Sequence, residues 1–376
     1  MNPYWLEDAA VPRPSPRHEG RVDVAIVGAG VTGCAAAFRL AEGGLRVRVH
    51  DQRAVAEGAS GRNGGFALRG GASRYDVARD TYGREQASGM WRWTERALDR
   101  IEALAGDALR RPGSYRLAAD EEERDEIRLE YESLREDDIA AEWLDDLPGQ
   151  LAGRFAGGIH HPGDGALQPA RWVRRLAALA AEAGAEIREH DRVDDLAALD
   201  ADQVVVATDG YGHGLVPEVS DAIWPTRGQV IVSEPIDRVL YDRPHYARQG
   251  FDYWQQLPDG RVLLGGFRDV SILDELTDVE ETTPAIQASL EQYLGELIGE
   301  PTRVSHRWAG IFGLTQDMLP LVGRVPGRDA LWVAGGYSGH GNVLGFACGE
   351  LVADAILGKN APQLELFDPA RFGEAS

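Results

Sequence analysis

The sequence predicts an α/β fold: a parallel, helix-flanked sheet assembled from separated stretches of chain, with a mixed-sheet α+β unit inserted between them. Three observations carry this. An apolar run, Val22-Asp23-Val24-Ala25-Ile26-Val27-Gly28, turns on glycines into a helix of small residues and then meets a second alternating run at 45–50. Two further short apolar runs of the same kind, 203–208 and 331–335, lie far down the chain. The intervening stretches read differently, with a long helical pattern and hairpin-like strands. Parallel neighbours need a helical crossover, and that crossover is right-handed. The expected division is an arm over 1–20, a discontinuous nucleotide domain over 21–75, 151–220 and 310–365, and a substrate domain over 76–150 and 221–309.

Taken in order, residues 1–20 are punctuated by Pro12, Pro14 and Pro16 and predict an extended arm on the surface. Residues 31–43 predict the first helix. Trp91, Leu98, Ile101 and Leu104 recur at helical spacing within 76–105. Residues 120–135 are so charged that they predict a helix with a solvated face. Pro169 opens a helix over 169–183, a position that needs no backbone N–H. Strands are predicted at 228–233 and 261–266, the second entered through the turn Pro258-Asp259-Gly260. Helices follow over 282–298 and 343–357.

Composition excludes several classes. The 376 residues are 43% hydrophobic and 27% charged, as in an ordinary globular enzyme. A formal net charge of −22 repels nucleic acid and anionic membranes. No apolar stretch reaches the ~18 residues of a membrane span. With no basic, apolar leader at Met1, a cytoplasmic location is expected. Cys34 and Cys348 sit among alanines and predict buried small hydrophobes, with neither disulfide nor metal spacing. Lys359 is the only lysine, so a Schiff-base or oxygen-attracting lysine is not expected.

Three glycine-rich motifs point to chemistry. In Gly28-Ala29-Gly30-Val31-Thr32-Gly33, one glycine permits the turn, the next lets a pyrophosphate approach the backbone, and the third lets helix and strand pack closely. The pyrophosphate then meets the positive helix N-terminus. Asp51, followed by Gln52, ends the second strand where an acid accepts hydrogen bonds from a ribose diol. Together these predict a Rossmann-like nucleotide domain without choosing between FAD and NAD. Ala59-Ser60-Gly61-Arg62-Asn63-Gly64-Gly65 reads as a structural turn or as a second anion contact further along a long cofactor. Gly336-Tyr337-Ser338-Gly339-His340-Gly341-Asn342 again joins a strand to a helix and offers amides to a developing anion.

These motifs, in this order, resemble the D-amino-acid-oxidase-like FAD-dependent oxidoreductases, and most nearly their gamma-glutamylputrescine oxidase branch. The resemblance runs over about residues 3–358, from Pro3-Tyr4-Trp5 onward, and fades in the inserted unit. It implies FAD, with Val193 at the adenine, Thr208 and Gly210 near the pyrophosphate, and Gly310 and the 336–342 loop near the flavin. Relatives that attach flavin covalently use a cysteine near 309–318 or a histidine near 62–65. Neither is present, so FAD is expected to be non-covalent. Relatives acting on simple α-amino acids place an arginine after the turn proline to clamp the carboxylate, whereas Pro258 here precedes Asp259.

The implied activity is oxidation of a C–N bond in a small amine or amino acid by hydride transfer to flavin, the imine then hydrolysing, with oxygen or another acceptor taking the electrons. Tyr253, Trp254, Trp308 and His340 are the candidate pocket residues, with Tyr337 beside them. Asp252 is a candidate for a distal ammonium, and Arg227 for a substrate carboxylate or an outward-reaching junction charge. The competing readings are an amino-acid oxidase or dehydrogenase clamped by Arg227, and a flavoprotein subunit that hands electrons to a protein partner.

Overall fold

The computed structural model describes residues 3–7 and 15–372. Pro12 and Pro14, which punctuate the expected extended arm, lie outside the described residues. The part of the arm before them is not a surface strand. Tyr4–Glu7 forms a helical turn whose Trp5 is 3% exposed.

A six-stranded sheet runs in the order Leu321–Arg324, Leu331–Gly335, Ala201–Val206, Val22–Val27, Val47–His50 and Glu186–Arg188. All neighbours are parallel except Leu321–Arg324 against Leu331–Gly335. Val22–Val27 lies centrally because it is apolar on both faces, and its neighbours come from 180 residues downstream and from the next β unit. The helix Val31–Glu42 is buried between Pro169–Glu182 and Gly341–Ile356. A Cβ on Gly349 would overlap the carbonyl oxygen of Thr32, so only glycine permits that helix–helix approach.

An eight-stranded sheet runs in the order Val304–Leu314, Trp224–Ser233, Val262–Gly266, Asp252–Gln256, His245–Ala247, Ser114–Ala118, Gly157–His161 and Glu142–Leu144. Gly157–His161, expected on the nucleotide side, pairs here with Ser114–Ala118. Val304–Leu314 crosses the boundary expected at 309/310 as one continuous strand. The pattern over 76–105 is broken at Gly83, with φ +90, into Tyr75–Tyr82 and Arg84–Ala105.

The charged helix Glu121–Glu136 is not simply solvated. Ile127 and Leu134 are buried together with Glu123 and Glu130, which turn inward because the sheet offers partners. Glu123 accepts from the backbone N–H groups of Ala119, Arg248 and Gln249.

The outer face of the eight-stranded sheet is a separate core under Pro284–Ile298. His245 is buried there, stacked on Trp254 with centroids 5.4 Å apart, and burial pushes its imidazole down to about 3. In the unfolded chain the ring titrates near 6.5, so between that pH and 3 the unfolded state binds the extra proton. The stability is complete above 6.5 and falls as pH drops. Replacing His245 with Phe is therefore expected to shift the stability difference from the parent by about 2 kcal/mol in the variant's favour between pH 7 and pH 5. Urea unfolding of both proteins at the two pH values reads this directly, and a pH-independent difference would refute it.

Candidate active site

The C-terminal ends of the central strands open on a cavity of about 400 Å³, lined by Gly28, Ala29, Gly30, Asp51, Gln52, Ser60, Val193 and Thr208. This edge, where the strand order reverses, is where doubly wound sheets hold ligands. Asp51 accepts from Ala29 N at 2.6 Å and from Arg53 N at 2.8 Å, and burial raises its pKa. Ser60 accepts from Val31 N at 2.9 Å, which brings the second glycine motif to the start of the first helix. A Cβ on Gly28 would lie 2.5 Å from Ala207 O.

A second cavity of about 290 Å³ adjoins the first through Ala59. It is lined by Arg62, Asn63, Gly64, Tyr253, Gly310, Ser338, Gly339, His340 and Asn342, which brings all three motifs to one continuous site. Asn63 and Asn342 bind each other reciprocally at 3.1 and 3.0 Å, locking the second motif to the third. Successive carbonyls of the 62–65 loop are each held by a different donor. Trp308 Nε1 donates to Arg62 O at 2.7 Å, Trp5 Nε1 to Asn63 O at 2.8 Å, and Gln255 Nε2 to Gly64 O at 2.6 Å. A loop so held keeps its shape without a ligand to mould it.

Several candidates stand elsewhere. Trp254 points to the opposite face from Tyr253, because side chains alternate along Asp252–Gln256. Trp308 is a support under the loop rather than a pocket wall. Tyr337 is buried between helices, with its hydroxyl 2.8 Å from Thr32 Oγ1. Val31 and Gly33 are likewise interior, and Gly65, Gly336 and Gly341 shape backbone without lining either cavity. Gly210 faces the backbone of Phe312, where a Cβ would sit 2.6 Å from its carbonyl oxygen. Asp252 is occupied by Arg248, at 2.6 Å to each oxygen. Arg227 neither reaches outward nor meets the cavity: it is 5% exposed and bidentate to Glu275 at 2.9 and 2.8 Å.

Sequence reasoning missed three site residues. Gln255 carries no motif. Asp209, at φ +48, binds Gly313 N at 2.9 Å and Gly336 N at 2.7 Å, tying two cofactor segments together. Its signal was an acid beside a glycine at a strand end. Arg268 lines the second cavity and makes no hydrogen bond or ion pair among the described residues. It lies over the rings of Phe251 and Phe312, at 4.8 and 6.0 Å, and burial lowers its pKa. Tyr253 Oη likewise has no partner there, and burial pushes it up to about 12, so it remains a donor. His340 is pushed down to about 4 by burial and is neutral.

The model of the family of FAD dependent oxidoreductases matches residues 23–355. The chain belongs to this family. FAD fits the two joined cavities: the glycine cradle and Asp51 suit its dinucleotide half, and the loops at 62–65 and 338–342 suit its ring. It is held non-covalently, and no cysteine lines either cavity. Among curated relatives, the chain is 28% identical over 381 residues to the probable oxidoreductase OrdL of Rhizobium meliloti, covering 92% of this chain and 85% of that one. It is 28% identical over 373 residues to the gamma-glutamylputrescine oxidoreductase of Escherichia coli, with the same coverage. The crystal structure of glycine oxidase from Geobacillus kaustophilus superposes with a TM-score of 0.76 at 25% identity, over 94% of this chain and 99% of that one. The chain is thus an FAD-dependent oxidoreductase. No helix among its described residues is long and apolar enough to cross a membrane.

Proposed function

We propose that the protein oxidises the C–N bond of a small amino acid, with the substrate carboxylate held by Arg268 and Tyr253. One observation carries this reading. Arg268 and Tyr253 stand in the same cavity wall, and both retain unspent donors among the described residues. Desolvated guanidinium and phenol donors suit an anion. The wider lining agrees: Arg62, Arg69, Arg116 and Arg268 outnumber Glu130 and Asp164, in a chain of net charge −22.

Bound FAD supplies the hydride acceptor. The remaining tasks fall to the chain. Gly64 leaves room for the Tyr253 ring, since a Cβ there would lie 2.8 Å from it. Phe66, edge-on to Tyr253 at 5.8 Å, together with Phe251 and Phe312, removes water from the substrate amine. That disfavours the ammonium and leaves the nitrogen lone pair free to assist loss of hydride from the adjacent carbon. His340, neutral near physiological pH, adds no competing positive charge. The imine product hydrolyses to a carbonyl compound and an amine or ammonia.

Anaerobic visible spectra of the holoprotein, taken with matched amino acids and their decarboxylated amines, test the reading. Bleaching by amino acids at concentrations where the matched amines leave the band unchanged is expected. Equal bleaching by both would remove the clamp while keeping the amine chemistry. We take oxygen as the acceptor, so the colour should return on admitting air; a band that stays bleached would point to a partner that takes the electrons.

A further inference from the structure

The charged residues lining the second cavity fall into two groups. Arg62 and Arg268 are partly exposed. Arg69, Arg116, Glu130 and Asp164 are closed off. Arg69 lies 2.9 Å from Asp164 and Arg116 2.7 Å from Glu130, and none of the four is more than 8% exposed. His161 beside them is buried, which pushes it down to about 4, so it is neutral. This end of the cavity is therefore backed by groups whose charges cancel and which have almost no surface to offer.

The surface that a ligand can touch here is apolar. Leu68, Tyr246, Phe251 and Met318 line the same end, and all four keep exposed area. Gly265, Tyr253, Tyr246 and Arg116 are register partners on successive strands, so Tyr253 and Tyr246 share one face of the sheet. Neighbouring strands are about 4.8 Å apart, which sets Tyr246 one step and Arg116 two steps, or about 10 Å, from Tyr253. The Tyr253 ring leans over Gly265, where a Cβ would overlap it, and so away from Tyr246. The one amide on this stretch is already used: Gln249 Nε2 donates to Glu126 Oε2 at 3.2 Å.

A charged or carboxamide side chain entering this end would lose its hydration and find no free counter-charge. An apolar one sheds its water at a gain. We propose that the substrate carries a bulky apolar side chain, branched aliphatic or aromatic, that packs against Tyr246, Leu68 and Phe251. The assignment rests on the reading in which Arg268 and Tyr253 hold the carboxylate, and it names the class of amino acid that the clamp presents to the flavin.

Equilibrium binding of unreactive carboxylic acids to the holoprotein, read from perturbation of the flavin spectrum, tests this without turnover. Acetate probes the clamp alone. From acetate through propionate and butyrate to valerate, affinity is expected to rise about fourfold per methylene, the worth of burying each one. 4-Methylvalerate should bind about 30-fold more tightly than succinamate, its isostere with a carboxamide in place of the isopropyl group. Leu68→Asn puts an amide of similar size into the wall and should cut that advantage about tenfold. Phe251→Asn reads the same point if Leu68→Asn purifies without flavin. Acetate binding with no gain along the series overturns the apolar subsite and leaves the Arg268 clamp standing. So does an advantage of 4-methylvalerate that the wall variant leaves unchanged. If no acid perturbs the flavin, the clamp fails instead. Isoamylamine against its isostere 3-aminopropanamide, neither carrying a carboxylate, then decides the subsite by the concentration at which each bleaches the flavin anaerobically. A preference for isoamylamine of about tenfold or more upholds it, and anything smaller removes it.

Discussion

Replacing Gly33 with valine is expected to yield protein that retains no FAD. Gly33 sits in the first turn of Val31–Glu42 with ordinary helical geometry, so conformational freedom is not its role. Space is. A Cβ at this position would overlap the carbonyl oxygen of Gly28 and approach the Ile26 side chain to 3.3 Å. Gly28 is itself fixed, because its N–H donates to His50 O at 2.8 Å and its own missing Cβ faces Ala207 O. Backbone stands on both sides, so nothing flexible can give way. Overpacking of this kind costs about 1–3 kcal/mol where side chains can adjust, and more where they cannot. Lifting the helix also moves the N-terminal amides from the pyrophosphate position. Gly89→Ala is the matched control: Gly89 is exposed inside Arg84–Ala105 with nothing near its missing Cβ. It should retain flavin and gain about 0.5–1 kcal/mol of stability. Flavin absorbance per chain after purification, with urea midpoints, reads both variants. Parent-like flavin content in Gly33→Val would show that the close approach is dispensable.

That prediction uses a motif legible from the sequence alone, because the strand, turn and helix supplying it lie within a dozen residues. Asp51 was legible for the same reason. Legibility failed where the deciding contact is remote or depends on phase. Tyr253 and Trp254 are adjacent aromatics of equal promise, but alternation along a strand allows only one to face the cavity, and register selected Tyr253. Glu123 and Glu130 belong to a run that any composition rule assigns to solvent. Their burial follows from backbone amides and an arginine more than a dozen residues away in the chain. Trp308 and Gln255 show a further limit: each acts by donating to carbonyls of the 62–65 loop, and no pattern encodes such bonds.

The two arginines present the sharpest case, and they carry the other large effect. Arg227 lies within Trp224–Ser233 and Arg268 just beyond Val262–Gly266, and only Arg227 looked eligible as a carboxylate clamp. Glu275, 48 residues further on, claims both prongs of the Arg227 fork, and the carbonyls of Val279 and Asp274 take two more of its donors. Arg268 has no such claimant: Asp269 turns instead to Arg248, at 2.8 Å. Converting Arg268 to methionine preserves apolar contact with Phe251 and Phe312 but removes the fork. A charge-assisted pair of hydrogen bonds is worth about 1.5–3 kcal/mol or more when desolvated, so carboxylate-bearing substrates should lose about 100-fold in kcat/KM. Arg268→Lys should recover part of this, since an ammonium keeps the charge but not the bidentate geometry. The loss should fall on KM and on inhibitor Kd more than on the rate of flavin bleaching at saturation, because the clamp grips ground state and transition state alike. Decarboxylated amines provide the internal control, and their weak reactivity should be unchanged. If Arg268→Met binds carboxylates as the parent does, the anion is held elsewhere in the cavity.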